Sequence, residues 1–228
     1  QSTQQIILAN PDQALFVFAV RNPEPHLRML DRFLILAESR QLPAMVGVNK
    51  IDITSDGGDD SLCRAQTLFA DYEASYPVHY FSARTGTGLA GLRKALDGKL
   101  TVLAGPSGAG KSSLLNALDP EIDRQIQQIS VATGKGRHTT TTAEIFRIDA
   151  GTFVADTPGM RSLAMSGIAS DDLDRFFPEL RPYLGQCFYA DCQHLSEPGC
   201  RVIEALDSGE ISRERYASYA ALRRGDSE

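Results

Sequence analysis

The sequence predicts an α/β fold built on a doubly wound, mostly parallel sheet, and two patterns carry that expectation. Six short runs rich in β-branched and aromatic residues recur at 15–20, 44–48, 78–81, 100–104, 145–148 and 153–155. Between several of them apolar residues fall at helical spacing: Leu27, Leu30 and Leu34; Leu62, Ala65, Phe69 and Tyr72; Leu114, Leu115 and Leu118. Strands alternating with helices are joined by crossovers, which makes the strands parallel and lays helices on both faces. Residues 54–60 and 84–88 hold the Gly, Ser, Thr and Asp of surface loops, and 131–142 is rich in Gly and Thr without apolar period. After residue 159 the strand-helix rhythm stops. A helix over 171–177, a Cys/His cluster and a helix near 212–223 then read as a small α-helical domain. The expected division is a linker remnant at 1–13, the sheet domain at 14–165 and the C-terminal domain at 166–228.

Composition bounds the function. At 228 residues, 42% hydrophobic and 23% charged, the chain has enough apolar material for one good core and a small second domain. The longest purely apolar stretch, 14–20, is far short of the roughly 20 residues that span a bilayer, and no signal peptide opens the chain. No membrane partner is expected, and the reading is a soluble, cytoplasmic protein, or one of an organellar stroma or matrix if the source is a eukaryote. A formal charge of −6 argues against a surface that grips nucleic acid by electrostatics alone, so no DNA partner is expected and any RNA contact is local or lies outside this stretch of sequence. The chain opens on Gln1 rather than Met, which suggests processing or truncation of something longer.

The strongest motif is Gly105-Pro106-Ser107-Gly108-Ala109-Gly110-Lys111-Ser112, set between an apolar strand and a helix. Glycines let backbone N–H groups close around phosphates at a helix N-terminus, Lys111 brings a cation to the β and γ oxygens, and the Ser112 hydroxyl suits Mg²⁺. Ser113 continues the same turn. Asn49-Lys50-Ile51-Asp52 ends the second strand run, and Ser82-Ala83 ends the third. At strand C-termini, where open sheets bind ligands, Asp52 is placed to accept from guanine N1–H and the 2-amino group, and the Ala83 N–H to donate to O6. Adenine leaves those groups unpaired. Asp156-Thr157-Pro158-Gly159 ends the last strand run, with Asp156 suited to Mg²⁺ and the Gly159 N–H to a γ-phosphate.

The base-reading motif precedes the phosphate loop, the reverse of the ordinary order, so the reading is a circularly permuted P-loop G domain that binds GTP and GDP with Mg²⁺. Residues 131–142 then correspond to switch I. Within Gly136-Arg137-His138-Thr139-Thr140, His138 is the candidate to orient the attacking water, with a solvated loop histidine as the plain alternative. Thr139 or Thr140 would supply a Mg²⁺-sensing hydroxyl, giving Ser112, Thr140 and Asp156 as the Mg²⁺ set. Met160 stands where many GTPases carry a water-orienting Gln, so unaided hydrolysis is expected to be slow.

Cys187-x4-Cys192-x-His194-x5-Cys200 supplies three thiolates and one imidazole, a closed tetrahedral shell for structural Zn²⁺ in a reducing compartment. Cys63 is left over and is expected to be a buried small residue.

The order of these motifs along nearly the whole chain resembles the RsgA family, also called YjeQ or EngC. That resemblance implies a GTPase dependent on the small ribosomal (30S) subunit, contacting its rRNA, acting in late subunit assembly, with His138 as catalytic histidine. The family also leads one to expect an N-terminal OB-fold, and no five-stranded barrel fits ahead of Leu15. The segment from Met160 carries eight Arg and no Lys against twelve Asp and Glu, so zinc-domain contacts to RNA would be few and specific. Two other readings stay open. A nucleotide monophosphate kinase shares the phosphate loop but has no use for Asn49 to Asp52 or the zinc cluster, and a non-enzymatic, GTP-dependent docking module is consistent with Met160.

Overall fold

Every residue of QALFVFA, Gln13–Ala19 (β1), is buried, and a strand covered on both faces belongs at the centre of a sheet. The computed structural model, which describes residues 10–53, 60–121, 144–156 and 170–225, places it there. β1 pairs in parallel with Ala44–Asn49 (β2) on one side and with Leu100–Ala104 (β4) on the other. The full order of the six-stranded sheet is β3-β2-β1-β4-β6-β5, with β3 at Val78–Tyr80, β5 at Glu144–Asp149 and β6 at Thr152–Asp156. All six expected runs are strands. The exception to parallel pairing is β5, which turns back through Ala150 and Gly151 and pairs antiparallel with β6.

Packing divides the chain into two units, Gln1–Pro25 with Leu42–Leu163, and His26–Gln41 with Ala164–Glu228. The first holds the sheet and helices Ser61–Glu73 (α2), Leu89–Leu96 (α3) and Lys111–Leu118 (α4). Its core joins Leu15, Val17, Leu103 and Val154 of the sheet, and Phe81 just past β3, to Leu92, Leu96, Leu114, Leu115 and Leu118 of the helices. The periodicity expected of α2 holds at Ala65, Phe69 and Tyr72, which are buried, whereas Leu62 is half-buried and Ser61 begins the buried stripe; Asp60 caps the helix by accepting from the Leu62 N–H at 2.9 Å. Cys63 is exposed, contrary to expectation. It lies two residues from both Ser61 and Ala65 on the buried stripe, about 200° round the helix, and so faces solvent.

Helix Leu27–Ser39 (α1), although inserted between β1 and β2 in sequence, packs in the second unit rather than within the expected sheet domain. That unit also holds 3-10 helices at Ser170–Phe176 and Arg181–Tyr183 and α-helices at Arg201–Asp207 (α5) and Arg213–Arg224 (α6). The helix expected over 171–177 is therefore a tighter 3-10 segment. Pro178 disfavours α geometry at Phe177, which suits a short wound segment better than a longer α-helix. Ile35, Leu173, Phe177, Leu180, Val202, Ile211 and Tyr219 form its core, with the Phe177 and Tyr219 rings edge to face at 5.4 Å.

A buried charge cluster ties this small core together. Arg215 is 3% exposed, donates through Nε to Glu179 Oε1 at 2.6 Å, pairs with the equally buried Asp31 on α1, and stacks its guanidinium 4.8 Å from the Phe177 ring centre. Removing Arg215 strands Asp31 and Glu179 without a counter-charge. Arg215→Ala is expected to lower stability by about 3–5 kcal/mol, and Arg215→Met, which keeps the apolar stem, by less, both read from urea unfolding followed in the aromatic signals of this unit.

Candidate nucleotide site and metal cluster

Parallel strands run the same way, so the loops leaving β1, β2, β3, β4 and β6 all emerge at one edge of the sheet. The chain direction across the sheet reverses between β1 and β4, the position at which doubly wound sheets open a crevice. The glycine loop leaves β4 at that point.

Asn49, at the end of β2 and 2% exposed, joins three of these loops. Its Nδ2 donates to Ala109 O at 3.0 Å, and its Oδ1 accepts from the N–H groups of Ala83 at 3.0 Å and Lys50 at 2.8 Å. Lys50, itself in the left-handed region at φ 68°, donates through Nζ to Gly108 O at 2.7 Å and to Asn22 O. These contacts explain why the loop needs glycine. At Gly110, φ +94°, an added Cβ would lie 2.3 Å from Asn49 Nδ2, and at Gly105, φ +147°, it would lie 2.1 Å from Val17 O. Because Ala109 O is drawn to Asn49, the Gly110 N–H of the same trans peptide points the opposite way. Pro106 is half-buried, whereas Ser107, Ser112 and Ser113 are exposed around the start of α4.

The electrostatics follow from burial and neighbours. Lys111 Nζ donates to Gly105 O at 2.9 Å and Pro106 O at 3.0 Å. Burial at the end of β6 pushes the Asp156 carboxyl above its usual range, and the opposing charge of Lys111 recovers only part of that. Asp52 goes the other way: burial raises its carboxyl, but bonds from the Ser82 hydroxyl and its own amide, with the Arg84 guanidinium, outweigh this and hold it below the usual value. It is a carboxylate at neutral pH, able only to accept. Ser82 is fully buried, and its Oγ also accepts from the Thr85 N–H at 3.1 Å. Half-buried Ile51 donates its N–H to Phe81 O at 3.5 Å, at the long limit of such a bond. His138, Thr139, Thr140, the whole 131–142 segment, Gly159 and Met160 lie outside the described residues.

In the second unit the ligand atoms of Cys187, Cys192, His194 and Cys200 all lie within 4.8 Å of one another. His194 Nδ1 is 3.5 Å from Cys187 Sγ and 3.3 Å from Cys200 Sγ, and the two sulfurs are 3.9 Å apart. A tetrahedral ion with bonds of about 2.0–2.3 Å requires ligand separations of about 3.5–3.8 Å; the observed 3.3–3.9 Å lie within a few tenths of an ångström of that, so the donor set fits a metal. Burial pushes the Cys192 thiol up to about 12, and a bound cation would reverse that by favouring the thiolate. Glu197 shapes the loop: it accepts from the N–H groups of Gln193, Leu195 and Ser196, at 2.8, 2.9 and 2.9 Å. Burial alone would raise its carboxyl, yet these amides hold it down at about 2.

The RsgA GTPase family model matches residues 1–166 of the chain. The chain belongs to the RsgA GTPase family. It is 47% identical over 221 residues to a small ribosomal subunit biogenesis GTPase RsgA of Gemmatimonas aurantiaca, covering 96% of this chain and 70% of that protein. A protein of the same name from Thermotoga maritima is 40% identical over 215 residues, 94% of this chain and 71% of its own length. Among solved structures, YjeQ from Thermotoga maritima superposes with a TM-score of 0.79 at 38% identity, covering 95% of this chain and 71% of that one. YloQ, described as a circularly permuted GTPase, does so with a TM-score of 0.74 at 34% identity, covering 95% and 68%.

Within this RsgA fold, residues that the motifs did not indicate also border the site. Asn22 reaches Lys50 through its carbonyl, Pro23 Cδ lies 3.3 Å from where a Cβ on Gly108 would sit, and Arg84 pairs with Asp52. Arg84 was legible as the residue after Ser82-Ala83, whereas the approach of the β1–α1 loop to the glycine loop has no sequence signature. The Ala83 amide expected to meet guanine O6 is already engaged by Asn49, so that contact would be a shared one. Gly110→Ala is expected to displace Asn49 and weaken guanine nucleotide binding at least 10-fold with little loss of secondary structure, measured by calorimetry with GDP and by circular dichroism.

Proposed function

We propose that this chain hydrolyses GTP to GDP and phosphate in the biogenesis of the small ribosomal subunit, and that it contacts the subunit's rRNA while doing so. The observation that carries the reading is the Asn49 bridge, which brings the Asn49-Lys50-Ile51-Asp52 motif, the Ser82-Ala83 loop and the glycine loop to one sheet edge. The names of the similar proteins support the ribosomal setting.

In this mechanism Asp52 selects guanine by accepting from N1–H and the 2-amino group. Asn49 and Lys50 hold the loops in register, and the amides of residues 108–113 receive the phosphates with Lys111 as the adjoining cation. Ser112, Thr140 and Asp156 would hold Mg²⁺, which when bound neutralises charge on the β and γ phosphates. His138 orients the water that attacks the γ-phosphorus as the bond to the bridging oxygen breaks and the pair of electrons leaves with GDP. Cys187, Cys192, His194 and Cys200 would hold Zn²⁺ in a structural role with no open position. The acidic balance of the chain offers no broad surface for DNA.

GTP turnover by the full chain is expected to be slow alone and to rise on adding small ribosomal subunits, toward the ~10³–10⁵-fold range of sites completed by a partner. His138→Ala is expected to remove that stimulated rate in single turnovers while leaving GTP affinity within a few-fold. Absence of stimulation would instead favour a docking module whose turnover is incidental. Asp52→Asn is expected to erase the preference for GTP over ATP, read by calorimetry.

A further inference from the structure

We propose that Asp174 is a positioning residue for the metal cluster, fixing the His194 ring through Nε2 and setting the affinity of the site for a thiophilic divalent cation. The inference rests on reading the cluster as a zinc site, and it adds a fifth residue from a part of the chain that the Cys/His spacing does not include. His194 presents Nδ1, not Nε2, to the sulfurs of Cys187 and Cys200. A neutral imidazole that coordinates through Nδ1 must carry its proton on Nε2, so Nε2 becomes a donor that needs an acceptor. The ring is buried, at 4% exposure, and Asp174 Oδ2 lies 3.5 Å from Nε2.

Asp174 is itself held in place. Its other oxygen, Oδ1, accepts from the Arg175 N–H at 2.8 Å, which fixes the carboxylate within the 3-10 helix Ser170–Phe176. The 3.5 Å contact is an electrostatic one, longer than a well-made hydrogen bond. Coordination at Nδ1 makes the Nε2 proton more acidic, which strengthens and shortens such a contact, and the carboxylate in turn makes the ring a better ligand. Glu197, the other carboxylate of the cluster, is committed to backbone N–H groups of residues 193, 195 and 196. It shapes the loop, whereas Asp174 meets the ring. The contact also links the metal loop to the 3-10 helix Ser170–Phe176.

The test uses the full chain, stripped and reloaded with zinc in competition with a chromophoric chelator, and separately with Co²⁺. Asp174→Asn preserves an oxygen for the Arg175 N–H but turns an NH₂ donor toward the Nε2 proton. It is expected to bind zinc about 10–100-fold more weakly and to shift the visible Co²⁺ bands, with one zinc per chain at saturation. Asp174→Glu, which keeps the carboxylate, is expected to recover part of that loss. Unchanged affinity and Co²⁺ spectrum in Asp174→Asn would overturn the role of Asp174 while the zinc site stands; a parent chain that retains no zinc would overturn the site itself. In the zinc-loaded parent, the His194 Nε2 proton is expected as a slowly exchanging downfield resonance. A rapidly exchanging proton there would overturn the inference even if Asp174→Asn failed to fold.

Discussion

The side-chain amide of Asn49 is the interaction on which the candidate nucleotide site depends. Three loops that leave separate strands have no secondary structure in common, and each carries backbone groups that need partners. One buried carboxamide serves all three, donating to Ala109 O and accepting from Ala83 and Lys50. Water cannot readily take its place at 2% exposure, so loss of any one bond leaves a buried polar group unpaired. The glycine at 110 is a consequence of this bond, because no side chain fits between the helix start and the Asn49 amide. The glycine loop is thus anchored from behind by the end of β2.

The second unit solves a different problem. Its core is small, and small cores need further cross-links to be stable. Two kinds are present. Arg215 lies against Phe177 and between Asp31 and Glu179, joining α1 to α6 through paired, buried charge. The Cys/His cluster draws the irregular 187–200 loop around a site with metal-ligand spacing, and Glu197 satisfies the loop's N–H groups where no helix or strand can. Tyr216 and Tyr219 extend the same strategy, donating from their hydroxyls to His194 O and Gln193 O at 2.8 Å each.

Much of the fold was legible because its signals are local. The six strand runs are short blocks of β-branched and aromatic residues, and all six are strands. Helices α1, α2 and α4 show their apolar period plainly. Leu89, Leu92 and Leu96 carry the same period in α3, which is as short as α4 at eight residues, but α4 was marked by the glycine loop at its start and α3 has no such motif beside it. α5 is shorter still. Cys63 illustrates a further limit: cysteines are usually buried, but the helical face decides, and that face is set by Ala65, Phe69 and Tyr72.

By itself the sequence determined which chemical groups are available and in what order: a glycine loop with Lys111, an acceptor at Asp52, a carboxylate at Asp156, and three thiols with an imidazole. It also determined the permuted order, because motif order is a property of the chain. Only the tertiary structure decided how those groups are held. That Asn49 faces the protein's own loops, that Arg84 shares Asp52, that α1 packs with the C-terminal elements, and that Asp174 stands behind His194 all depend on residues distant in the chain. Spacing along a sequence records covalent neighbours, whereas these contacts follow from strand order and the burial of polar groups that must find partners wherever the fold brings them.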